Sequence, residues 1–183
     1  MELRNKNMKL NFENWTPFAV GIVLKREKIK SVSKILQTFN EGKVNVVGNS
    51  SVNNGVISKI EINDSSYVHR KNTLSYGAKG GKFFWQEQDW VSTDHVHLFS
   101  SPHLNNNNQV FICTILNKLL EVKGGWSSSL ESNIVNEQIY LPVDEHGNPD
   151  WKFMEDYIKQ LREREREFWT CWIKNRKQNI YWF

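Results

Sequence analysis

Ile139-Tyr140-Leu141-Pro142-Val143-Asp144-Glu145-His146-Gly147-Asn148-Pro149-Asp150-Trp151-Lys152-Phe153-Met154-Glu155-Asp156-Tyr157-Ile158 is the stretch on which the fold turns. Ile139 to Val143 reads as a strand, Glu145 to Pro149 as a turn, and Asp150 as the N-cap of a helix. From there Trp151, Met154, Ile158, Leu161, Phe168 and Trp172 recur at alternating steps of three and four, interrupted only at Glu165. That spacing predicts one long helix with a heptad-like apolar seam, ending near Asn175. Lys159, Arg162, Glu163, Arg164, Arg166 and Glu167 cover its other faces. Its length, roughly 37 Å at 1.5 Å per residue, exceeds what a small head can cover. The seam therefore predicts dimerisation through Trp151, Met154, Ile158, Leu161, Phe168 and Trp172; a helix folded back on its own domain is the alternative. The turn divides the chain into a head, 1–149, and a dimerisation or spacer helix with its tail, 150–183.

Working outward, the head reads as short strands around one helix. Val44, Val46 and Val47 lead into a polar turn at 48–51, and Asn54-Gly55 signals a hairpin before Val56 to Ile62. Thr73 to Tyr76 and Phe83 to Trp85 read as strands flanking a glycine-lysine loop, Gly77 to Lys82. Asp94 to Phe99 alternates, with Val96 and Leu98 on one face and His95 and His97 on the other. Residues 109–122 carry a helical apolar face, closed by Gly124-Gly125. Trp15 to Leu24 is an apolar cluster that packs on the core, whereas Lys25 to Lys34 is basic without clear periodicity. The fold class is α+β: a compact, twisted, mostly antiparallel or mixed β domain with a packed helix, followed by a long amphipathic helix.

Composition narrows the function. Apolar residues make up 39% and no run approaches a membrane span, so a globular chain off the membrane is expected. Met1 to Leu10 lacks an apolar h-region, so no secretory signal is expected. Cys113 and Cys171 form no CxxC pair, which argues against a zinc knuckle or disulfide framework and fits a reducing cytoplasm. Twenty-four Lys and Arg against 20 Asp and Glu give +4, a mild bias that permits nucleic-acid binding without requiring it. The abundant loop asparagines suit turns, and also adenine edges.

Several chemistries are absent. The four prolines are never adjacent, which removes the Asn/Asp-Pro-Pro-aromatic loop of base-amine methyltransferases, and Gly81-Lys82-Phe83 breaks a P-loop. His95, His97 and His103 could ligate a metal, but no carboxylate or cysteine completes the set at a recognisable spacing. No cofactor or metal is expected. Asp94 with Glu121-Val122-Lys123 matches the loose D…ExK spacing of metal-dependent nucleases, although Glu121 and Lys123 fall at a helix end.

Residues 139–158 closely resemble the strand, turn and helix start that close a target-recognition domain of type I restriction–modification DNA-specificity (S) subunits, a domain also found in type IIB and IIG systems. Upstream segments agree in order. Val47-Gly48-Asn49-Ser50-Ser51-Val52-Asn53-Asn54-Gly55-Val56 resembles the family's polar loop and NNG hairpin, and Leu74 to Phe84 its glycine-bearing strand pair. Ser92-Thr93-Asp94-His95-Val96 resembles its ATDDV-like strand start, and Gly124 to Leu130 its polar loop after the helix. The resemblance covers roughly 40–170; Lys25-Arg26-Glu27-Lys28 replaces an expected glycine turn.

The resemblance implies a non-catalytic component that reads one half of a bipartite duplex DNA target and directs a partner methyltransferase or endonuclease. The implied partners are double-stranded DNA, a methyltransferase (modification) subunit, and a second copy or another specificity half. One domain with one helix resembles a half-subunit or a piece of a larger enzyme. Lys71, Lys79, Lys82 and Lys123 are then the candidate phosphate contacts, with Gly77, Gly80 and Gly81 allowing close backbone approach. Asn49, Ser50, Ser51, Asn53, Tyr76, Thr93, Asp94, His95, Trp126, Ser127 and Ser128 are the candidate base readers. A core role for Trp126 and a capping role for Asp94 stay open. Two other classes remain: a small metal-dependent nuclease using Asp94, Glu121 and Lys123, and a protein-binding decoy that reads no sequence.

Overall fold

The structure, a computed structural model, describes residues 8–124 and 128–179. The chain opens with β1 (Trp15–Ala19), the short helix α1 (Val20–Val23) and β2 (Lys25–Glu27). Then come β3 (Glu41–Val47), β4 (Val56–Ile60), β5 (Thr73–Gly77), β6 (Phe83–Gln86), β7 (Trp90–Ser92) and β8 (Val96–Ser100). Helix α2 (Asn108–Val122), the short α3 (Ser128–Asn133), β9 (Gln138–Pro142) and α4 (Trp151–Asn179) complete it.

The strands form three sheets. β2-β8-β5-β6 is antiparallel, β4-β3-β7 is mixed with β3 parallel to β7, and β1 pairs with β9 as a two-stranded ribbon. All five residues of β5 are buried, because it lies between β8 and β6 and is covered on both faces, so its sequence shows no alternation. Pro17 fits in β1 because that strand has one neighbour only and needs no second row of N–H donors. β6 is an edge strand that α2 blunts: Asn117 Oδ1 accepts from Phe83 N–H at 2.8 Å and its Nδ2 donates to Phe83 C=O at 3.0 Å.

The main core joins α1, β5, β6 and β8 to α2, β9 and α4. Helix α2 buries Phe111, Ile112, Leu116 and Leu120 and ends at Gly124, which takes φ +78°. Its start is capped by the asparagine run, where Asn105 Oδ1 accepts from the N–H groups of Asn107 and Asn108 at 2.9 and 3.1 Å. A smaller core of Val32, Val46, Ile60 and Val91 lies under 35–39 and 62–68.

Helix α4 changes one expectation. Asp150 is the N-cap, its Oδ1 accepting from Phe153 N–H at 2.8 Å. Met154 and Ile158, however, are 0% and 6% exposed and belong to the head's own core, with Trp151 and Leu161 packed against it. Met154 and Ile158 are therefore taken up by the head rather than left free for a dimer seam, and Trp151 and Leu161 are half-buried against the same core, so the first turns of α4 pack with residues 1–149. Arg162 still anchors to Asn107 Oδ1 at 2.6 Å. Beyond it, 163–179 extend past the head for roughly 25 Å at 1.5 Å per residue. Phe168, Trp169, Trp172 and Ile173 are exposed there (61%, 50%, 42% and 47%). The helix also runs to Asn179 rather than stopping near Asn175.

Candidate nucleic-acid interface

Three loops meet at one end of the sheets. The β3–β4 loop, the β5–β6 loop and the β7–β8 turn are tied together by one side chain, Asn49. Its Oδ1 accepts from Lys79 N–H at 2.9 Å and its Nδ2 donates to Asp94 C=O at 2.8 Å. Backbone bonds reinforce the junction: Ala78 N–H donates to His95 C=O and Thr93 N–H to Val47 C=O, both at 2.9 Å. Gly77 allows the close approach there, since a Cβ would lie 3.2 Å from Asn49 Cα and Gly48 O and the neighbouring backbone would have to shift by a few tenths of an ångström. β3 ends at Val47 and β4 starts at Val56, with Gly48 N–H donating to Gly55 C=O at 2.9 Å, so Asn54-Gly55 closes a longer loop over β6 rather than making a two-residue hairpin turn, with Asn53, Asn54 and Gly55 all at positive φ. Asn54 Nδ2 donates to Trp85 C=O at 2.8 Å.

Most of the sequence-predicted readers gather on this junction. Ser51, Lys79, Gly80, Lys82, Asp94 and His95 are exposed, and Asn49, Ser50 and Thr93 are half-buried. The ammonium groups of Lys79 and Lys82 form no ion pair among the described residues. Thr93 is turned inward, its hydroxyl donating to Val47 C=O at 3.4 Å. Ser50 Oγ bonds locally to Val52, and Asn53 Nδ2 donates to Val56 C=O at 2.9 Å, so its amide serves its own hairpin.

Other expectations are corrected. Tyr76 is 1% exposed and stacked on Phe83 at 4.5 Å, so it supports the loops from inside and reads nothing. Burial pushes its phenol up to about 12. Lys71 precedes β5 while Lys79 follows it, which puts the two at opposite ends of a strand roughly 15 Å long. Lys123 is neutralised by Glu137 at 2.6 Å, and Glu121 pairs with Lys118 at 3.2 Å. Both lie at the end of α2, not on a strand beside Asp94, and among the described residues no His, Cys, Asp and Glu group is placed to hold a metal. His103 stacks on Trp151, away from His95 and His97. Trp126 and Ser127 lie outside the described residues; Ser128 is the first residue of α3, and its side chain is outside them too. The strand expected from Asp94 starts at Val96, because His95 takes φ +61° and ends a turn.

Sequence reasoning missed β2 and its neighbours. The segment after β2 runs beside β7, with Val32 N–H donating to Ser92 C=O at 2.8 Å and Ser33 Oγ accepting from Asp94 N–H at 2.8 Å. This places Ser33, next to Lys34 in the chain, at the junction and leaves a groove of about 440 Å³ lined by Arg26, Lys28, Ser31, Asp94, His95 and His97. Glu131 on α3 reaches the same place, its Oε1 accepting from His97 Nε2 at 2.9 Å and His95 Nδ1 at 3.1 Å. Arg26 donates to His97 Nδ1 at 2.8 Å and to Glu131 C=O at 3.1 Å. Burial holds the His97 imidazole below its ordinary pKa, with Arg26 acting the same way. Burial raises Glu131, but hydrogen bonds from His97 and His95 outweigh it and keep the carboxyl below its ordinary value. Nothing in the local pattern around Arg26 or Glu131 announced this cluster; it exists only once β2 pairs with β8.

A larger groove, about 590 Å³, lies between β6 and α2, away from the loop junction. Among the described residues no helix is long and apolar enough to cross a membrane.

Comparison with known proteins gives a consistent result. The family described as the type I restriction modification DNA specificity domain matches residues 12–167. Among solved structures, the chain is similar to one described under "Structural basis underlying complex assembly and conformational transition of the type I R-M system", with a TM-score of 0.58 and 12% identity, covering 95% of this chain and 44% of that one. It is also similar to the HsdS subunit from Thermoanaerobacter tengcongensis, with a TM-score of 0.55 and 15% identity, covering 88% of this chain and 40% of that one. At these identities the likeness is one of fold, and the chain spans less than half the length of either structure. No curated protein sequence matches it.

Proposed function

The chain belongs to the type I restriction–modification DNA specificity domain family, and on that premise we propose that it is a DNA-reading specificity component that recognises one half of a bipartite duplex target. The observation that carries the reading is the Asn49 junction, which holds three loops as one surface with unpaired lysines at its rim. Lys79 and Lys82, joined by Lys34, neutralise phosphates and set the register; these contacts carry no sequence information. Ser51, Asp94 and His95 supply the base-edge groups, with Asn49 fixing their relative positions. Asp accepts from cytosine N4, and an imidazole either accepts or donates according to its protonation.

The free part of α4 couples this head to other chains. Its exposed aromatic residues, Phe168, Trp169 and Trp172 with Ile173, need a partner surface. A second copy or another specificity half supplies the facing helix, and a methyltransferase subunit carries the chemistry. Because the first turns of α4 belong to the head, the separation of two paired heads is set by about 25 Å of free helix, not by its whole length. Pairing raises weak half-site affinity through effective concentration. Selection of duplex oligonucleotides with the purified chain tests the reading. An enriched short motif supports it, whereas binding without any enriched motif favours a protein-binding decoy. Among the described residues, Glu121 and Lys123 are paired with Lys118 and Glu137 rather than gathered beside Asp94, and no group of His, Cys, Asp and Glu is placed to hold a metal.

A further inference from the structure

We infer that Glu131 is a positioning residue that fixes the hydrogen-bonding sense of His95, so that one position of the DNA target is read differently by the neutral and the protonated imidazole. The inference rests on the DNA-reading function proposed above and adds to it a determinant of base preference.

His95 closes the β7–β8 turn at the loop junction with φ +61°, a conformation that histidine tolerates better than most residues. Its side chain is 41% exposed, and Nδ1 faces the Glu131 carboxylate, at 3.1 Å from Oε1 and 3.3 Å from Oε2. An ionised carboxylate only accepts, so Nδ1 carries the proton whether the ring is neutral or charged. Nε2 points away across the ring and has no hydrogen-bond partner among the described residues. It is therefore an acceptor when the ring is neutral and a donor when it is protonated. Glu131 is held in turn. His97 Nε2 faces the acceptor-only Glu131 Oε1 at 2.9 Å and so carries the hydrogen, which leaves Nδ1 to accept from Arg26 Nη2 at 2.8 Å, and Arg26 also grips the Glu131 carbonyl. The charged and titratable groups around His95 are Arg26, Glu27 and Lys28 from the β2 segment, Asp94 and His97 from its own turn and strand, and Glu131 from α3. Lys79 lies beside Ala78, whose N–H bonds the His95 carbonyl.

A major-groove edge offers donors at adenine N6 and cytosine N4 and acceptors at guanine N7 and O6, adenine N7 and thymine O4. Neutral His95 thus favours adenine or cytosine at its position, whereas protonated His95 favours guanine, thymine or, through N7, adenine, so cytosine is the base that protonation disfavours. The experiment is duplex selection with the purified chain at about pH 8 and about pH 5.5. One motif position is expected to lose cytosine and gain guanine or thymine as the pH falls, with a change in preference of about fivefold, the size of one hydrogen bond gained or lost. Glu131→Gln removes the acceptor-only partner, releases the other tautomer, and at about pH 8 relaxes that position while the rest of the motif persists. His95→Gln abolishes the pH dependence at that position. A motif identical at both pH values in the unaltered chain overturns the inference and leaves the DNA-reading function intact. No motif at either pH overturns both. If Glu131→Gln does not fold, as judged by circular dichroism, the two-pH comparison on the unaltered chain still decides.

Discussion

Replacing Asn49 by alanine separates two roles that this side chain could have, pinning loops or reading a base. The structure gives it two bonds, to Lys79 N–H at 2.9 Å and to Asp94 C=O at 2.8 Å. A typical intramolecular hydrogen bond is worth about 0.5–1.5 kcal/mol net, and both of these are water-accessible, which places them in the lower part of that range. Asn49→Ala should therefore cost about 1–2 kcal/mol, read as a lower urea midpoint at unchanged slope. Asn49→Asp keeps the acceptor for Lys79 N–H but turns an oxygen toward the Asp94 carbonyl, so it should do no better. Because the same bonds register three loops, DNA affinity should fall with either variant while the selected motif stays the same. The reasoning fails if Asn49→Ala leaves the urea midpoint unmoved and instead changes the preferred base at one position, since Asn49 would then be a direct reader.

Four further outcomes follow from the same geometry. Lys79→Ala with Lys82→Ala should flatten the slope of log K against log salt by up to about 1.8, and Lys71→Ala, at the far end of β5, should leave it unchanged. Met154→Ala should cost about 2–5 kcal/mol in denaturant unfolding, because Met154 is fully buried in the head. Phe168→Ala and Trp172→Ala should leave monomer stability within about 0.5 kcal/mol and reduce self-association in sedimentation. His69 is held neutral by burial, with its pKa pushed down to about 4, and Nε2 donates to Ser92 Oγ at 3.0 Å. Unfolding returns it to about 6.5, so the unfolded chain binds the extra proton between those values. Stability should then drop by roughly 3 kcal/mol as pH falls from about 6.5 to about 4, with no such loss above that window. His69→Gln, which keeps an N–H donor, should make that acid loss shallower, with the remainder due to His97 and other groups.

What the sequence revealed and what it hid have physical reasons. The α4 periodicity was plain, since Trp151, Met154, Ile158 and Leu161 keep a helical face whatever covers them. Periodicity does not say whether that cover is the same chain or another one, and here the head takes the first turns. Loop tips were legible at Asn49, Gly80 and Asp94, because turn residues betray themselves locally. Depth was not: Tyr76 sits at a strand end like an exposed reader, yet Phe83 and β8 enclose it. Charge hid β2, since Lys25, Arg26 and Glu27 look like a solvated run until pairing with Ser100, Phe99 and Leu98 makes them a strand. The Lys123–Glu137 pair and the Arg26–His97–Glu131–His95 cluster join distant segments, and no local pattern encodes such meetings. The run Asn105 to Asn108 proved to be turn chemistry, capping α2 and bracing α4.

Amide hydrogen exchange of the chain, free and bound to a selected duplex, tests most directly whether one pinned loop surface does the reading. Protection concentrated in 48–52, 77–82 and 93–97 is the predicted result. Protection centred on the β1–β9 ribbon or on the free end of α4, with those loops unaffected, would contradict the account.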